Sequence, residues 1–246
     1  MIVDLEQQQV SLAEVQLSDF RSRNLIELVA SHVVPGSALD VGCGGGGMVS
    51  TLLQRGHTAR GIDASEAIIS AAQAFLKSRG HDSSCITLTA LSELVAAGQQ
   101  FDNVISMDCL EHQADDRPLF HELVQSVRVG GRLLITVPAM PQLFSERDRI
   151  VGHYRRYTRK ALLALAEAET LRVDELRYWN IVGAPPTFIS GVLLKRPIDE
   201  SFRYGSVSLP KRVLRSGLSA WFEHVENRMR PPFGMTLFMA ATRLGG

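Results

Sequence analysis

Neither sign of charge prevails in this chain: 26 lysines and arginines stand against 26 aspartates and glutamates over 246 residues. A neutral balance gives no global attraction to nucleic acid or to a charged surface. Cysteine is scarce as well. Cys43, Cys85 and Cys109 make an odd number without metal-ligand spacing, which argues against a disulfide framework and for a reducing cytoplasm. No apolar run is long enough to span a bilayer, and the stretch from Ile181 to Leu194 is broken by two prolines and two glycines. The residues from Met1 to Glu6 show no positive region followed by an apolar core, so no secretory signal is expected. Internal repeats and low-complexity tracts are missing too.

What is present is alternation. Apolar positions Phe20, Leu25, Leu28, Val29 and Val33 recur at helical spacing between Ser18 and Val34, with Ser18 and Asp19 available as caps. Pro35-Gly36 ends that helix, and strands are expected at Ser37–Val41, up to Asp63, at Cys85–Thr89, at Val104–Met107 and at Arg132–Val137. Helices are expected from Met48 to near Gly56, from Ser65 to Ser78 and from Leu119 to Val127, with a turn at Gly130-Gly131. Such alternation predicts a doubly wound parallel sheet of α/β class. Beyond Pro138 a loop runs to Tyr157, a helix capped by Thr158 follows, and Arg172–Tyr178 is a sixth strand. Met235–Thr242 is a last strand, inserted antiparallel. One domain results: a core over residues 37–140, a substrate loop and cap over 141–234, and the last strand over 235–243.

The most informative stretch is Ala38-Leu39-Asp40-Val41-Gly42-Cys43-Gly44-Gly45-Gly46-Gly47. Glycines let a backbone turn sharply and approach a ligand with no Cβ in the way. A second acid, Asp63, ends the next strand, where it can accept from ribose hydroxyls. Read as Gly42-x-Gly44-x-x-Gly47 the loop is a dinucleotide fingerprint. Read as Asp40-x-Gly42-x-Gly44-x-Gly46 it is the loop of S-adenosylmethionine (SAM) enzymes. Asp40 favours the second reading, because a carboxylate suits an amino group and is badly placed beside a pyrophosphate. A glycine-rich turn without a ligand is the plain alternative.

Four motifs then fall in register: Leu39-Asp40-Val41-Gly42-Cys43-Gly44, Gly61-Ile62-Asp63-Ala64-Ser65, Phe101 to His112 (with Met107-Asp108-Cys109-Leu110-Glu111-His112 at its end), and Val129-Gly130-Gly131-Arg132-Leu133. Together they resemble the class I SAM-dependent methyltransferases. The resemblance implies a seven-stranded Rossmann-like sheet with an antiparallel last strand and an inserted helical cap. It implies SAM as cofactor and S-adenosylhomocysteine as product. By position, Gly42, Cys43 and Gly44 would pack on the cofactor, Asp40 would hold its amino group, Asp63 its ribose hydroxyls, and Ala64 would lie beside adenine. Met107 and Asp108 would border the methionine part, and His112 would close over it, unless His112 merely satisfies a helix start. Where the family often has an acid for the adenine amino group, this chain reads Ala90-Leu91-Ser92. Ala90 stands in the acid's place, so either Ser92 or a backbone carbonyl near Leu91 would make that contact, or adenine would be held mainly by packing.

The loop Leu143-Phe144-Ser145-Glu146-Arg147-Asp148, followed by Gly152-His153-Tyr154-Arg155-Arg156-Tyr157-Thr158, resembles that of a bacterial small-molecule subgroup with a Gly-His-x-Arg-Arg-Tyr stretch. It leaves the carboxyl end of a strand, where ligands bind in such sheets. His153 is the candidate general base, with His112 next. Tyr157 can orient a substrate, and Arg155 and Arg156 can pair with its carboxylate or phosphate. The plain alternative makes the basic residues a solvated helix start. No metal cluster is evident.

From Pro185 to Pro232, eight basic residues (Lys195, Arg196, Arg203, Lys211, Arg212, Arg215, Arg228, Arg230) face four acids (Asp199, Glu200, Glu223, Glu226), with Phe188, Phe202, Tyr204, Trp221, Phe222 and Phe233 between them. A basic aromatic cap suits an anionic or amphipathic substrate or a membrane surface; it equally suits a lid filling its own small core. Methyl transfer to a small molecule, with oxygen slightly favoured as acceptor, is the leading expectation. An NAD(P)-dependent oxidoreductase explains the glycines and Asp63, but not Asp40, and lacks a Tyr-x-x-x-Lys pair. A non-catalytic scaffold subunit docking through the cap is the third reading. Oligomeric state is not legible.

Overall fold

The computed structural model describes residues 19–193 and 208–245. Lys195, Arg196, Asp199, Glu200, Phe202, Arg203 and Tyr204 of the cap lie outside the described residues, as do residues 1–18. Among the described residues, seven strands form one sheet: β1 (Ser37–Val41), β2 (Thr58–Asp63), β3 (Ile86–Leu88), β4 (Phe101–Met107), β5 (Val127–Pro138), β6 (Leu171–Trp179) and β7 (Thr236–Arg243). Their spatial order is β3-β2-β1-β4-β5-β7-β6. β7 runs antiparallel to both of its neighbours, and the pairs among β1 to β5 are parallel. This is the doubly wound α/β sheet with an inserted last strand that the alternation predicts.

Helices α1 (Phe20–Ala30), α2 (Gly47–Gln54), α3 (Glu66–Ser78), α4 (Leu91–Ala96), α5 (Arg117–Gln125), α6 (Glu146–Ile150), α7 (Arg159–Glu167), α8 (Ala184–Thr187) and α9 (Leu209–Trp221) connect and cover it. Local chemistry sets their starts. Asp19 accepts from the Arg21 N–H, Ser65 from Ile68 and Thr158 from Ala161, each satisfying a donor that has no intrahelical partner. Two apolar clusters lie on opposite faces of the sheet. Ala38 belongs to one and Leu39 and Val41 to the other, as strand alternation requires. Close packing of α2 on β2 depends on Gly61, where a Cβ would stand 2.9 Å from Val49 Cγ2.

Four sequence expectations change. The turn at Gly130-Gly131 lies inside β5: Phe101 pairs with Val127 and Asn103 with Arg132, so the intervening residues bulge out, with Gly130 at φ 80°. β4 begins at Phe101, three residues before the apolar run suggests. α4 is not foreseen, because its six residues have no side-chain cap and little periodicity. In the cap, Phe222 does not fill a separate core. It stacks on Trp179 with ring centroids 4.7 Å apart and on Phe20 at 6.0 Å, so it joins the main one.

Candidate active site

β1 runs directly into the glycine bend. Gly42, Gly44 and Gly46 have φ of 72°, 50° and 78°, backbone that side chains rarely adopt. The N–H groups of Gly42 and Cys43 both donate to the Ile62 carbonyl, at 2.9 and 3.0 Å, which binds the bend to the end of β2. Below it sits Cys109, whose thiol donates to the Val41 carbonyl at 3.3 Å. A Cβ built on Gly42 would meet that sulfur at 2.3 Å. Burial raises the Cys43 and Cys109 thiols well above the ordinary range, so neither is a nucleophile.

Two carboxylates flank the bend. Asp63 closes β2; its Oδ2 accepts from Gly44 N–H at 3.2 Å and its Oδ1 from Ser65 N–H at 3.1 Å. Asp40 lies one residue before the end of β1 and is 3% exposed. Its carboxyl is pushed up to about 7, first by burial and then by the charge of Asp63. No lysine or arginine pairs with it among the described residues. A buried acid beside another acid, without a cation, has a cost that an ammonium group would relieve. The geometry therefore fits the methionine amino group of SAM at Asp40, with the ribose hydroxyls toward Asp63.

Backbone strain marks the same edge of the sheet. Among the described residues, the non-glycine residues with positive φ are Asp108 (53°), Met140 (61°) and Asn180 (66°). They follow the carboxyl ends of β4, β5 and β6 in turn, and strained residues of this kind gather at ligand sites. Asp108 is held there by its N–H to the Thr136 carbonyl at 2.9 Å and by Thr136 Oγ1 donating to its Oδ1 at 3.2 Å. Met107 is half-buried beside it.

Past Asp108, a turn of 3-10 helix over Leu110–His112 meets the loop that follows β5. Tyr154 N–H donates to the Glu111 carbonyl at 2.8 Å, which joins the two segments. His112 and His153 rings then meet edge to face, centroids 4.7 Å apart. Partial desolvation, and next the neighbouring His153, lower the pKa of His112, whose side chain is exposed at the surface. Asp148 is the hub of this loop. Its Oδ2 accepts from Ser145 N–H at 2.8 Å, and its Oδ1 accepts from Arg156 Nε at 2.9 Å and contacts His153 Nδ1 at 3.2 Å. Burial alone would raise the Asp148 carboxyl; the His153 hydrogen bond and the Arg156 charge outweigh it and hold it far below the usual range.

The structure thus brings Asp40, Gly42, Cys43, Gly44, Asp63, Met107, Asp108, His112 and His153 to one edge of the sheet. Three other expected site residues, Tyr157, Arg156 and Arg155, have partners within the protein. Tyr157 is buried and its hydroxyl donates to Asp116 at 2.6 Å, so it ties the loop to the start of α5 and does not face a substrate. Arg156 is buried on Asp148 and on the Ala139 carbonyl. Arg155 pairs with Asp116 at 3.3 Å and donates to the Gln113 and Ala114 carbonyls. The Arg156 guanidinium is thus not left for a substrate anion, whereas Arg155 is about a third exposed and its Nε has no hydrogen-bond partner among the described residues. Leu91 points into the core, Ser92 is exposed on α4, and Ala64 is exposed next to Asp63. Glu111 is the residue that sequence reasoning passes over. It is fully buried, and neither of its carboxylate oxygens has a hydrogen-bond partner among the described residues. Its Oε1 lies 3.8 Å from His153 Nε2. Burial, then Asp108, raise its pKa well above the ordinary value.

Sheet order, inserted β7, glycine bend and paired acids define a class I SAM-dependent methyltransferase fold. Residues 39–135 match the family described as "Methyltransferase domain", and that region of the chain is such a domain, with SAM as its cofactor. The chain is 35% identical over 98 residues to a ubiquinone biosynthesis O-methyltransferase of Pseudomonas entomophila, covering 40% of this chain and 42% of that protein. It therefore spans less than half the length of the curated relatives it matches. The solved complex of the Haloferax volcanii Trm112 methyltransferase activator with a methyltransferase aligns at TM-score 0.67 and 14% identity, over 98% of each chain. Geranyl diphosphate C-methyltransferase of Streptomyces coelicolor aligns at TM-score 0.59 and 14% identity, over 89% of this chain and 78% of that one. At such identities these two likenesses speak for the fold alone. Among the described residues, no helix is long and apolar enough to cross a membrane.

Proposed function

We propose that this protein transfers a methyl group from SAM to a small molecule, with a hydroxyl oxygen as the favoured acceptor. The observation that carries the reading is Asp40: a buried carboxylate with no cation of its own, next to a bare backbone bend that Asp63 anchors. The bound cofactor supplies an electrophilic methyl group on a sulfonium. The chain's part is to align and to exclude water. Gly42, Cys43 and Gly44 give the cofactor a close floor, and Met107 and Asp108 line its methionine end. His153, with Nδ1 engaged by Asp148, turns Nε2 inward as the proton acceptor for an acceptor hydroxyl, and His112 closes the same end. Residues 141–234 carry the acceptor side, and the three free thiols suit a reducing cytoplasm. The O-methyltransferase relatives support an oxygen acceptor; they do not name it.

Calorimetry with S-adenosylhomocysteine tests the reading. Micromolar binding is expected, with Asp63→Ala weakening it at least tenfold, about the worth of one charge-assisted hydrogen bond pair. Absence of binding in the intact chain, or tighter binding of NADH, would overturn it.

A second reading concerns the cap. α9 faces inward with Leu218 and Ser219, the latter accepting from Asn24 Nδ2 at 3.2 Å. Its outward side is apolar: Leu209 is 75% exposed and Val213 71%. Leu214 and Trp221 continue that side, and Phe188 and Ile189 are exposed on the helical segment after α8. The charged residues of α9 as a whole are Lys211, Arg212 and Arg215, without an acid; Lys211 and Arg212 are exposed and Arg215 is half-buried. We infer that this face rests on an anionic lipid surface, as a basic amphipathic helix does.

A further inference from the structure

We propose that Glu111, His112 and His153 bind a divalent transition-metal ion of the zinc kind at the acceptor end of the site. Each offers one ligand atom, and these atoms all lie within 4.8 Å of one another. Glu111 gives the first reason. A carboxylate that is fully buried, with neither oxygen hydrogen-bonded, is costly unless a cation or a donor meets it. Its Oε1 is turned toward His153 Nε2 at 3.8 Å, close to the spacing of two ligands on one ion.

His153 gives the second. Its Nδ1 is engaged by Asp148 at 3.2 Å, and Asp148 is itself locked by Arg156 and Ser145. A carboxylate behind an imidazole fixes the tautomer with the proton on Nδ1, which leaves the Nε2 lone pair free to coordinate. Metal-bound histidines are nearly always held in this way. The backing is built into α6 by a capping box from Ser145 to Asp148, so it is not an accident of one rotamer.

One carboxylate and two imidazoles suit zinc, cobalt, nickel or iron(II) better than magnesium or calcium. Metal–ligand bonds of about 2.0–2.2 Å need donors about 3.3–3.5 Å apart. The required closure of roughly an ångström falls within rotation of the exposed His112 side chain. Three protein ligands leave a position open for solvent or for an oxygen of a ligand.

The consequence for catalysis rests on the methyl-transfer reading. With a cation in place, His153 is a ligand, and its Nε2 no longer receives a proton. A hydroxyl bound at the open position would instead lose its proton to solvent near neutral pH, because a divalent ion lowers the pKa of bound oxygen.

The test is metal content and spectrum, with the full chain stripped by chelator, loaded with Co2+ and desalted. About one equivalent is expected to stay bound, with a visible absorption of a low-coordinate Co2+ site. Glu111→Gln and His153→Gln should each lower affinity by at least tenfold, while thermal melting and S-adenosylhomocysteine calorimetry report whether each variant is folded. Failure of the wild-type chain to retain Co2+ or Zn2+ while it still binds S-adenosylhomocysteine would overturn the metal site and leave methyl transfer standing. Retention of metal by both folded variants at wild-type affinity would overturn it too. Metal binding without S-adenosylhomocysteine binding would sink the methyl-transfer reading and spare the site.

Discussion

The sulfur of Cys109 occupies the space that a side chain on Gly42 would need, 2.3 Å from where its Cβ would fall. The cofactor bend is thus fixed from below by the residue that follows the strained Asp108.

Gly42→Ala should therefore fail twice. It puts a Cβ on a backbone at φ 72° and drives it into a thiol. Strain of this kind costs about 1–3 kcal/mol before the clash is added. Urea unfolding should show the loss, and S-adenosylhomocysteine binding should disappear. Adding Cys109→Ala should restore part of the stability, because the Cys109 Cβ lies at an ordinary 3.8 Å from the built atom. No difference between the single and double variants would disprove the contact.

Asp40 makes cofactor binding sensitive to pH. The folded chain holds its proton up to about 7, while the unfolded chain releases it near 3.8. Between those values the folded state binds more protons, so the ligand-free chain loses stability as pH rises. An ammonium partner favours the ionised form and expels the proton. S-adenosylhomocysteine affinity should rise from pH 5.5 toward about 7, by at most about tenfold per pH unit. Calorimetry in two buffers of different ionisation enthalpy should report proton release at the lower pH. Asp40→Asn should remove both the slope and the release.

Arg156 and Asp148 form a buried pair, and breaking it should be expensive. Arg156→Leu leaves the Asp148 carboxylate buried without its guanidinium, a loss of about 3–5 kcal/mol in comparable cases. Arg156→Lys should not restore it, because Nε and Nη2 approach the same oxygen at 2.9 and 2.8 Å, a fork that an ammonium does not reproduce. Denaturant midpoints measure both. Wild-type stability in Arg156→Leu would show the pair to be dispensable.

The outward face of α9 predicts vesicle binding. Co-sedimentation with vesicles of anionic phospholipid should exceed that with neutral ones, and Val213→Glu with Leu214→Glu should abolish it. The substitutions lie at exposed positions, so the melting temperature should change little. Equal partition of wild type and variant would remove the lipid reading.

Legibility in the sequence followed the range of the contacts. Asp40, Gly42 and Gly44 could be read because their roles are written within one strand-turn-helix unit. Asp63 could be read because β2 ends there by its own pattern. Tyr157 and Arg156 could not. Their types suggest substrate contacts, but their partners, Asp116 and Asp148, are chosen only when the loop after β5 folds back on α5 and α6. Glu111 went unnoticed because it sits in a motif as a spacer between Leu110 and His112. The available signal was an acid flanked by buried leucine and histidine just past a central strand, where a solvated carboxylate is not expected. The bulge at Gly130 was hidden for another reason. Paired glycines look alike in a turn and in a strand that lets its partner skip residues.

Among the described residues, β6 joins the sheet only through β7, and β7 comes more than fifty residues after β6 ends. During synthesis the parallel half can collapse around its own helices first. β6 must wait beside an empty slot until β7 arrives to bridge it to β5. Closure over so long a separation is slow. The edge beside Asn180 and the cap helices are therefore expected to reach their final setting after the cofactor bend has formed.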